Sequence, residues 1–128
     1  MSEAKKKILV VDDEPDIVNM LKMRLEASGY EVIIAGDGNT AYNKAKSDSP
    51  DLIILDLMLP DMDGYQVCRL LKFDVKYQRI PIIMLTAKSQ KEDKTWGEKA
   101  GADFYLTKPF EPQELLDKIQ ELLSRIKN

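Results

Sequence analysis

The stretch Ile8-Leu9-Val10-Val11-Asp12-Asp13-Glu14-Pro15 decides how this chain folds. Four apolar residues in succession, mostly β-branched, read as a strand buried on both faces. Three carboxylates follow at once, so the strand ends at a polar rim. Pro15 stands where a first helical turn would begin, because its fixed φ suits that position and its missing N–H costs nothing there. A wholly apolar strand, an acidic turn and a helix make the opening of a βα unit.

The same order recurs along the chain. After Pro15, Ile17, Leu21 and Leu25 repeat at helical spacing, Val18 widens the stripe, and Gly29 ends the helix. A second strand is predicted over 31–35, and a weaker helix over 37–46 with Ala41, Tyr42 and Ala45 on one face. A third strand is predicted over 51–55 and a helix over 64–72 packed by Val67 and Leu71. A fourth strand over 81–85 is apolar on both faces, and a helix over 91–100 stops near Gly101. A short strand over 104–107 precedes a last helix, opened by Pro112 and carrying Leu115, Leu116, Ile119, Leu122, Leu123 and Ile126. Apolar strands alternating with helices imply a parallel sheet covered on both faces. The expectation is one domain over 1–128, an α/β flavodoxin-like doubly wound sheet with strand order 2-1-3-4-5.

Composition agrees with a single globular domain: 128 residues, 44% hydrophobic and 32% charged. The net charge of −3 argues against broad nucleic-acid binding, which needs a basic face. One cysteine, Cys68, excludes an intrachain disulfide, and the absence of histidine excludes imidazole catalysis and imidazole metal ligands. No signal peptide and no apolar run of roughly 20 residues is visible, so the expectation is a cytoplasmic protein without membrane contact. Lys5 to Lys7 read as a solvated lead-in to the first strand, and Cys68 as a small core residue.

Ligands in open α/β sheets bind beyond the carboxyl ends of the strands. Asp12 and Asp13 follow the first strand, Asp56 the third, Thr86 the fourth and Lys108 the fifth. Any one of these could be a turn residue or a cap. Together they put three carboxylates, a hydroxyl and an amine on one rim. Close carboxylates resist full ionisation unless a cation relieves them. Mg²⁺ takes one or two carboxylates together with waters and a phosphate oxygen. The cluster therefore reads as a Mg²⁺ site that meets a phosphoryl group, with an aspartate as a possible acceptor.

At these positions the sequence closely resembles the response-regulator receiver family. The matching segments are Val10-Val11-Asp12-Asp13-Glu14-Pro15, Leu55 to Gly64, Met84-Leu85-Thr86-Ala87-Lys88, and Ala100 to Phe110. The resemblance spans essentially the whole chain. It implies that Asp56 accepts the phosphoryl group, that Asp12 and Asp13 hold Mg²⁺ together with Asp56 and the backbone carbonyl of Met58, and that Lys108 and Thr86 contact the phosphoryl oxygens. It implies that Thr86 and Tyr105 form the switch, that the Lys108–Pro109 bond is cis, and that the output face is the fourth helix, the fifth strand and the last helix. Met58 and Lys88, two residues after Asp56 and Thr86, would flank the path of the hydrolytic water. The implied partners are a histidine kinase or histidine phosphotransfer protein upstream, and a protein target or an attached output domain downstream.

Some segments look like receivers joined to winged-helix domains, and Lys94 with Glu114 could form a dimer contact of that group. Phe104 and Glu98 depart from it, so dimerisation and a stand-alone receiver both stay open. Trp96 is open between a partner contact and a surface aromatic. A haloacid-dehalogenase phosphatase would need a carboxylate at position 58, and an FMN protein a phosphate loop without Asp12-Asp13-Glu14. A receiver fold that binds without phosphorylation is the main alternative; its usual mark is loss of a key residue.

Overall fold

The computed structural model describes residues 5–87 and 101–125. The helix expected over 91–100, with Lys94, Trp96 and Glu98, lies outside the described residues, as do Lys88 and Ile126. Five strands, β1 (Lys7–Val11), β2 (Glu31–Ala35), β3 (Leu52–Asp56), β4 (Ile82–Ala87) and β5 (Phe104–Lys108), form one parallel sheet. Its order is β2-β1-β3-β4-β5, as expected for a doubly wound domain. Helices α1 (Pro15–Ala27), α2 (Gly38–Asp48) and α3 (Gly64–Lys72) follow the first three strands, and a C-terminal helix (Pro112–Arg125) follows β5.

Side chains alternate between the two sheet faces. Leu9, Val11, Ile53, Leu55, Ile82 and Met84 pack with Ala41 and Ala45 of α2 and with Val67, Cys68 and Leu71 of α3. Ile8, Val10, Leu52, Ile54, Ile83 and Leu85 pack on the other side with Leu21 and Leu25 of α1 and Leu115, Ile119, Leu122 and Leu123 of the C-terminal helix. Helices on both faces explain why the central strands are apolar throughout. Each fully buried Leu or Ile contributes roughly 2 kcal/mol by area, so the two cores fix the sheet firmly enough to aim its rim. Cys68 is fully buried and its thiol is pushed up to about 12 by that burial, which makes it a core residue.

Local signals set the helix ends. Gly29, at φ 95°, ends α1 in a Schellman arrangement: its N–H donates to Glu26 O and that of Tyr30 to Leu25 O. Asp37 caps α2 by accepting from Thr40 N at 2.7 Å. Asp63 and Gln66 form a capping box on α3. Lys7, expected to be solvated, instead donates from Nζ to Asp48 O at the end of α2, at 3.1 Å.

Strand ends differ from the sequence reading in a consistent direction. Asp56, Thr86 and Lys108 were expected just beyond their strands, but each lies within one. Neighbouring backbone extends the ladder: Asp56 pairs with Leu85, Thr86 with Thr107 and Ala87 with Lys108. At the other end β4 starts at Ile82, because Pro81 has no N–H and contributes only its carbonyl, to Ile53 N at 2.9 Å.

Candidate functional site

Strand periodicity aims three of the rim residues. Asp12 continues the series Ile8, Val10; Asp56 continues Leu52, Ile54; Lys108 continues Phe104, Leu106. All three therefore leave the sheet on the side of α1 and the C-terminal helix. Val11 is paired with Leu55, which sets Asp12 beside Asp56 across β1 and β3. β5 lies two strands from β3, roughly 10 Å at ordinary spacing, and only a long side chain crosses that gap. Lys108 does so: its Nζ lies 3.0 Å from Asp12 Oδ2, 3.5 Å from Asp56 Oδ2 and 2.8 Å from Glu14 Oε1.

Asp12, Asp56 and Thr86 are the buried polar or charged residues among those described. Buried carboxylates are costly unless paired, so their presence marks a site. Asp13 is exposed, yet one oxygen from each of Asp12, Asp13 and Asp56 fits within 4.8 Å of the others. Burial, and then the charge of Asp12, push the Asp56 carboxyl up to about 6 against the opposing pull of Lys108 and the Met58 N–H. That N–H donates to Asp56 Oδ1 at 3.3 Å. Burial works to lower the Lys108 pKa, but its hydrogen bonds to Glu14 and Asp12 and the charges of Asp56 and Asp12 outweigh it and leave the pKa raised. One ammonium thus serves several carboxylates, and negative charge remains uncompensated. An oxygen-only donor set with excess negative charge fits a hard divalent cation such as Mg²⁺.

Thr86 is the last residue but one of β4, one place beyond Leu85, which pairs with Asp56. Tyr105 pairs with Met84 and packs half-buried on the α2–α3 side. The sheet thus gathers Asp12, Asp13, Asp56 and Lys108 at one rim; Thr86 reaches the same strand end, but by alternation with Ile82 and Met84 it shares the α2–α3 face with Tyr105. Met58 projects outward, 61% exposed. The Lys108–Pro109 peptide is cis. Phe104, one of the departures from the receivers joined to winged-helix domains, is covered by the Lys118 ammonium at 4.3 Å from its ring centre.

Three residues took no role in the sequence reading. Glu14 pairs with Lys108, and its only signal was being the third carboxylate after β1. Gly64 lets α3 approach the site strand: a Cβ there would sit 2.6 Å from the Asp56 carbonyl oxygen. Asp61 ties the loop after β3 to α2, accepting from Gly38 N and Asn39 N.

Comparisons with known proteins agree with this geometry. The family described as the response regulator receiver domain matches residues 8–120. The chain is 51% identical over 122 residues to the alkaline phosphatase synthesis transcriptional regulatory protein PhoP of Bacillus subtilis (strain 168), covering 94% of this chain and 49% of that protein. It thus spans about half the length of this relative. A putative response regulator from Chloroflexus aurantiacus J-10-fl superposes with a TM-score of 0.90 at 38% identity, covering 95% of this chain and 100% of that one. The receiver domain of the sensor histidine kinase PA1611 from Pseudomonas aeruginosa PAO1, which has a magnesium ion coordinated in its active site cleft, superposes with a TM-score of 0.87 at 34% identity, covering 94% and 99%. With its doubly wound sheet and its acidic rim, this chain belongs to the response-regulator receiver domain family.

Proposed function

We propose that the chain is the phosphoacceptor of a two-component relay, with Asp56 as the residue that takes the phosphoryl group. The observation that carries this reading is the convergence of buried Asp12 and Asp56 with the Lys108 ammonium at one sheet rim. A carboxylate oxygen of Asp56 bonds to phosphorus as the bond from phosphorus to the donor's leaving group breaks. With a phosphohistidine donor that bond is P–N, and the departing imidazole nitrogen takes up a proton. Hydrolysis later returns the carboxylate and inorganic phosphate.

Asp12, Asp13, Asp56 and the Met58 carbonyl would hold Mg²⁺, which when bound neutralises charge on the phosphoryl oxygens. Lys108, beside Asp12 and Asp56, supplies a second positive charge. Thr86 hydrogen-bonds a phosphoryl oxygen once it is present. The added charge, nearly two units, favours the state in which Thr86 and Tyr105 have moved toward the site. Output passes through β5, the C-terminal helix and the helix expected over 91–100. A histidine kinase or phosphotransfer protein supplies the phosphoryl group, and a protein target or attached output domain reads the result. The domain itself makes no nucleic-acid or membrane contact and works in the cytoplasm. No helix among the described residues is long and apolar enough to cross a membrane. Asp12, Asp13, Asp56, Thr86 and Lys108 are all retained, so nothing supports a fold that binds without phosphorylation.

The test is incubation with a small-molecule phosphodonor and Mg²⁺, followed by intact-mass spectrometry, beside Asp56→Asn. One Mg²⁺-dependent phosphoryl adduct on the wild type and none on the variant is the expected result. No adduct and no binding of beryllofluoride, a stable phosphoryl mimic, would overturn the reading.

A further inference from the structure

The loop over 57–63 carries Met58 past Asp56, and its two ends are pinned by the sheet and by α3. Leu57 N donates to Leu85 O at 3.0 Å, Gly64 N donates to Leu57 O at 2.8 Å, and Asp63 belongs to the α3 capping box. Between these ends the loop bulges toward α2. There Asp61 Oδ1 accepts from Gly38 N at 2.7 Å, and Oδ2 accepts from Asn39 N at 3.0 Å. Asp61 Oδ1 also accepts from Met62 N at 2.8 Å.

Gly38 and Asn39 open α2, so their N–H groups have no acceptor inside the helix. The helix's own cap, Asp37, already serves Thr40 N. Asp61 therefore supplies the second carboxylate at this terminus from more than twenty residues away, where the helix dipole also favours negative charge. The two N–H groups hold its carboxyl below the usual range although the residue is exposed. The seam is also sterically tight: a Cβ on Gly38 would lie 2.7 Å from Met62 Cβ and 3.0 Å from Met62 O. Fixed hydrogen bonds and a close-packed glycine leave the loop one position relative to α2.

We propose that Asp61 is a positioning residue: by clamping the loop over 57–63 to the N-terminus of α2, it sets the affinity of the Asp12–Asp13–Asp56 cluster for Mg²⁺. This rests on the metal-binding reading of the site given above. Mg²⁺ tolerates little departure from its preferred geometry, and the loop carries the Met58 backbone that reading assigns as a ligand. Residues that orient ligands without touching the metal change affinity by about tenfold or more when lost.

The experiment is calorimetric titration of the metal-free protein with MgCl₂ alone. Wild type, Asp61→Ala, Asp61→Asn, Gly38→Ala and Asp13→Ala are compared, with amide exchange at Gly38 and Asn39 followed in parallel. Asp61→Ala is expected to bind Mg²⁺ about tenfold more weakly and to exchange faster at Asn39. Asp61→Asn keeps one acceptor oxygen and should fall between it and the wild type. Gly38→Ala disturbs the same seam from the α2 side and should weaken binding without removing any carboxylate. A general loss of stability would not move the affinity of the folded fraction, so affinity separates positioning from mere support. Faster exchange in folded Asp61→Ala or Asp61→Asn with wild-type Mg²⁺ affinity would overturn the proposal and leave the site reading intact. Failure of the wild type to bind Mg²⁺, or wild-type affinity in Asp13→Ala, would overturn the site reading and this proposal with it.

Discussion

Lys108 Nζ lies 2.8 Å from Glu14 Oε1 but 3.5 Å from Asp56 Oδ2. The cation that the proposed function assigns to the phosphoryl group is thus held more closely by Glu14 than by Asp56. Glu14 is the N-cap residue of α1, yet its side chain makes no capping hydrogen bond, which leaves it to reach Lys108. A phosphoryl oxygen on Asp56 would compete with Glu14 for the Lys108 ammonium.

Glu14→Gln is accordingly expected to speed phosphorylation from a small-molecule donor. The Glu14 side chain is 59% exposed, so its pair with Lys108 is worth less than about 1 kcal/mol. That bounds the gain at about fivefold. Salt should narrow the gap, since exposed pairs are screened. Adduct formation timed at low and high salt is the measurement; a variant no faster than wild type at low salt would show that Glu14 does not restrain Lys108.

The acidic cluster should also make the metal-free protein less stable than it could be. Asp56 is raised from 3.8 to about 6 by burial and by Asp12, so the folded state holds its proton more tightly than the unfolded state. Its contribution is therefore neutral below about pH 4 and becomes unfavourable as pH rises toward 6 and beyond. The shift corresponds to an upper bound of roughly 3 kcal/mol. In chelator at pH 7, Asp56→Asn is expected to be more stable than wild type by about 1–2 kcal/mol, with the difference closing near pH 4. Denaturant unfolding at the two pH values checks this, and a variant less stable at pH 7 would contradict it.

Mg²⁺ should reverse that penalty in the wild type. Binding only to the folded state adds about 2.7 kcal/mol at a hundredfold excess over Kd. Asp13 is exposed, so Asp13→Ala should fold with little cost while losing most of the Mg²⁺-dependent rise in the unfolding midpoint. Chelator should return the wild type to its metal-free midpoint. An equal Mg²⁺ response in both proteins would remove Asp13 from the ligand set.

The fold was legible where one physical cause dominates. Ile8 to Val11, Ile53 to Leu55 and Ile82 to Leu85 are covered on both faces, and such burial leaves no polar alternation to confuse the reading. The site was legible for a related reason: parallel strands deliver their last residues to one edge, so Asp12, Asp56, Thr86 and Lys108 could be grouped without coordinates. Contacts that join separate units were not legible. Nothing local to Asp61 says that it serves a helix beginning at Gly38, and nothing local to Gly64 says that a Cβ would strike Asp56. Strand ends were misjudged at Asp56 and Thr86 because a polar residue looks like a turn until a neighbouring backbone is there to pair with it.

Met58 offers a test of phosphoryl lifetime that is separable from stability. The residue is 61% exposed, and its backbone N–H donates to Asp56 Oδ1 at 3.3 Å. Replacing that side chain should leave the fold and the Asp56 contact in place. An exposed thioether two residues beyond Asp56 is at most a weak hydrogen-bond acceptor, and under the proposed function its bulk would obstruct the approach of water to phosphorus. An amide there offers both donor and acceptor groups to an attacking water. Met58→Asn is therefore expected to shorten the lifetime about three- to tenfold, a barrier change of roughly 1 kcal/mol, with phosphorylation still confined to Asp56. The measurement is decay of the phosphoryl adduct by mass spectrometry after the donor is removed. An unchanged decay rate would mean that water reaches the phosphoryl group by a path that avoids position 58.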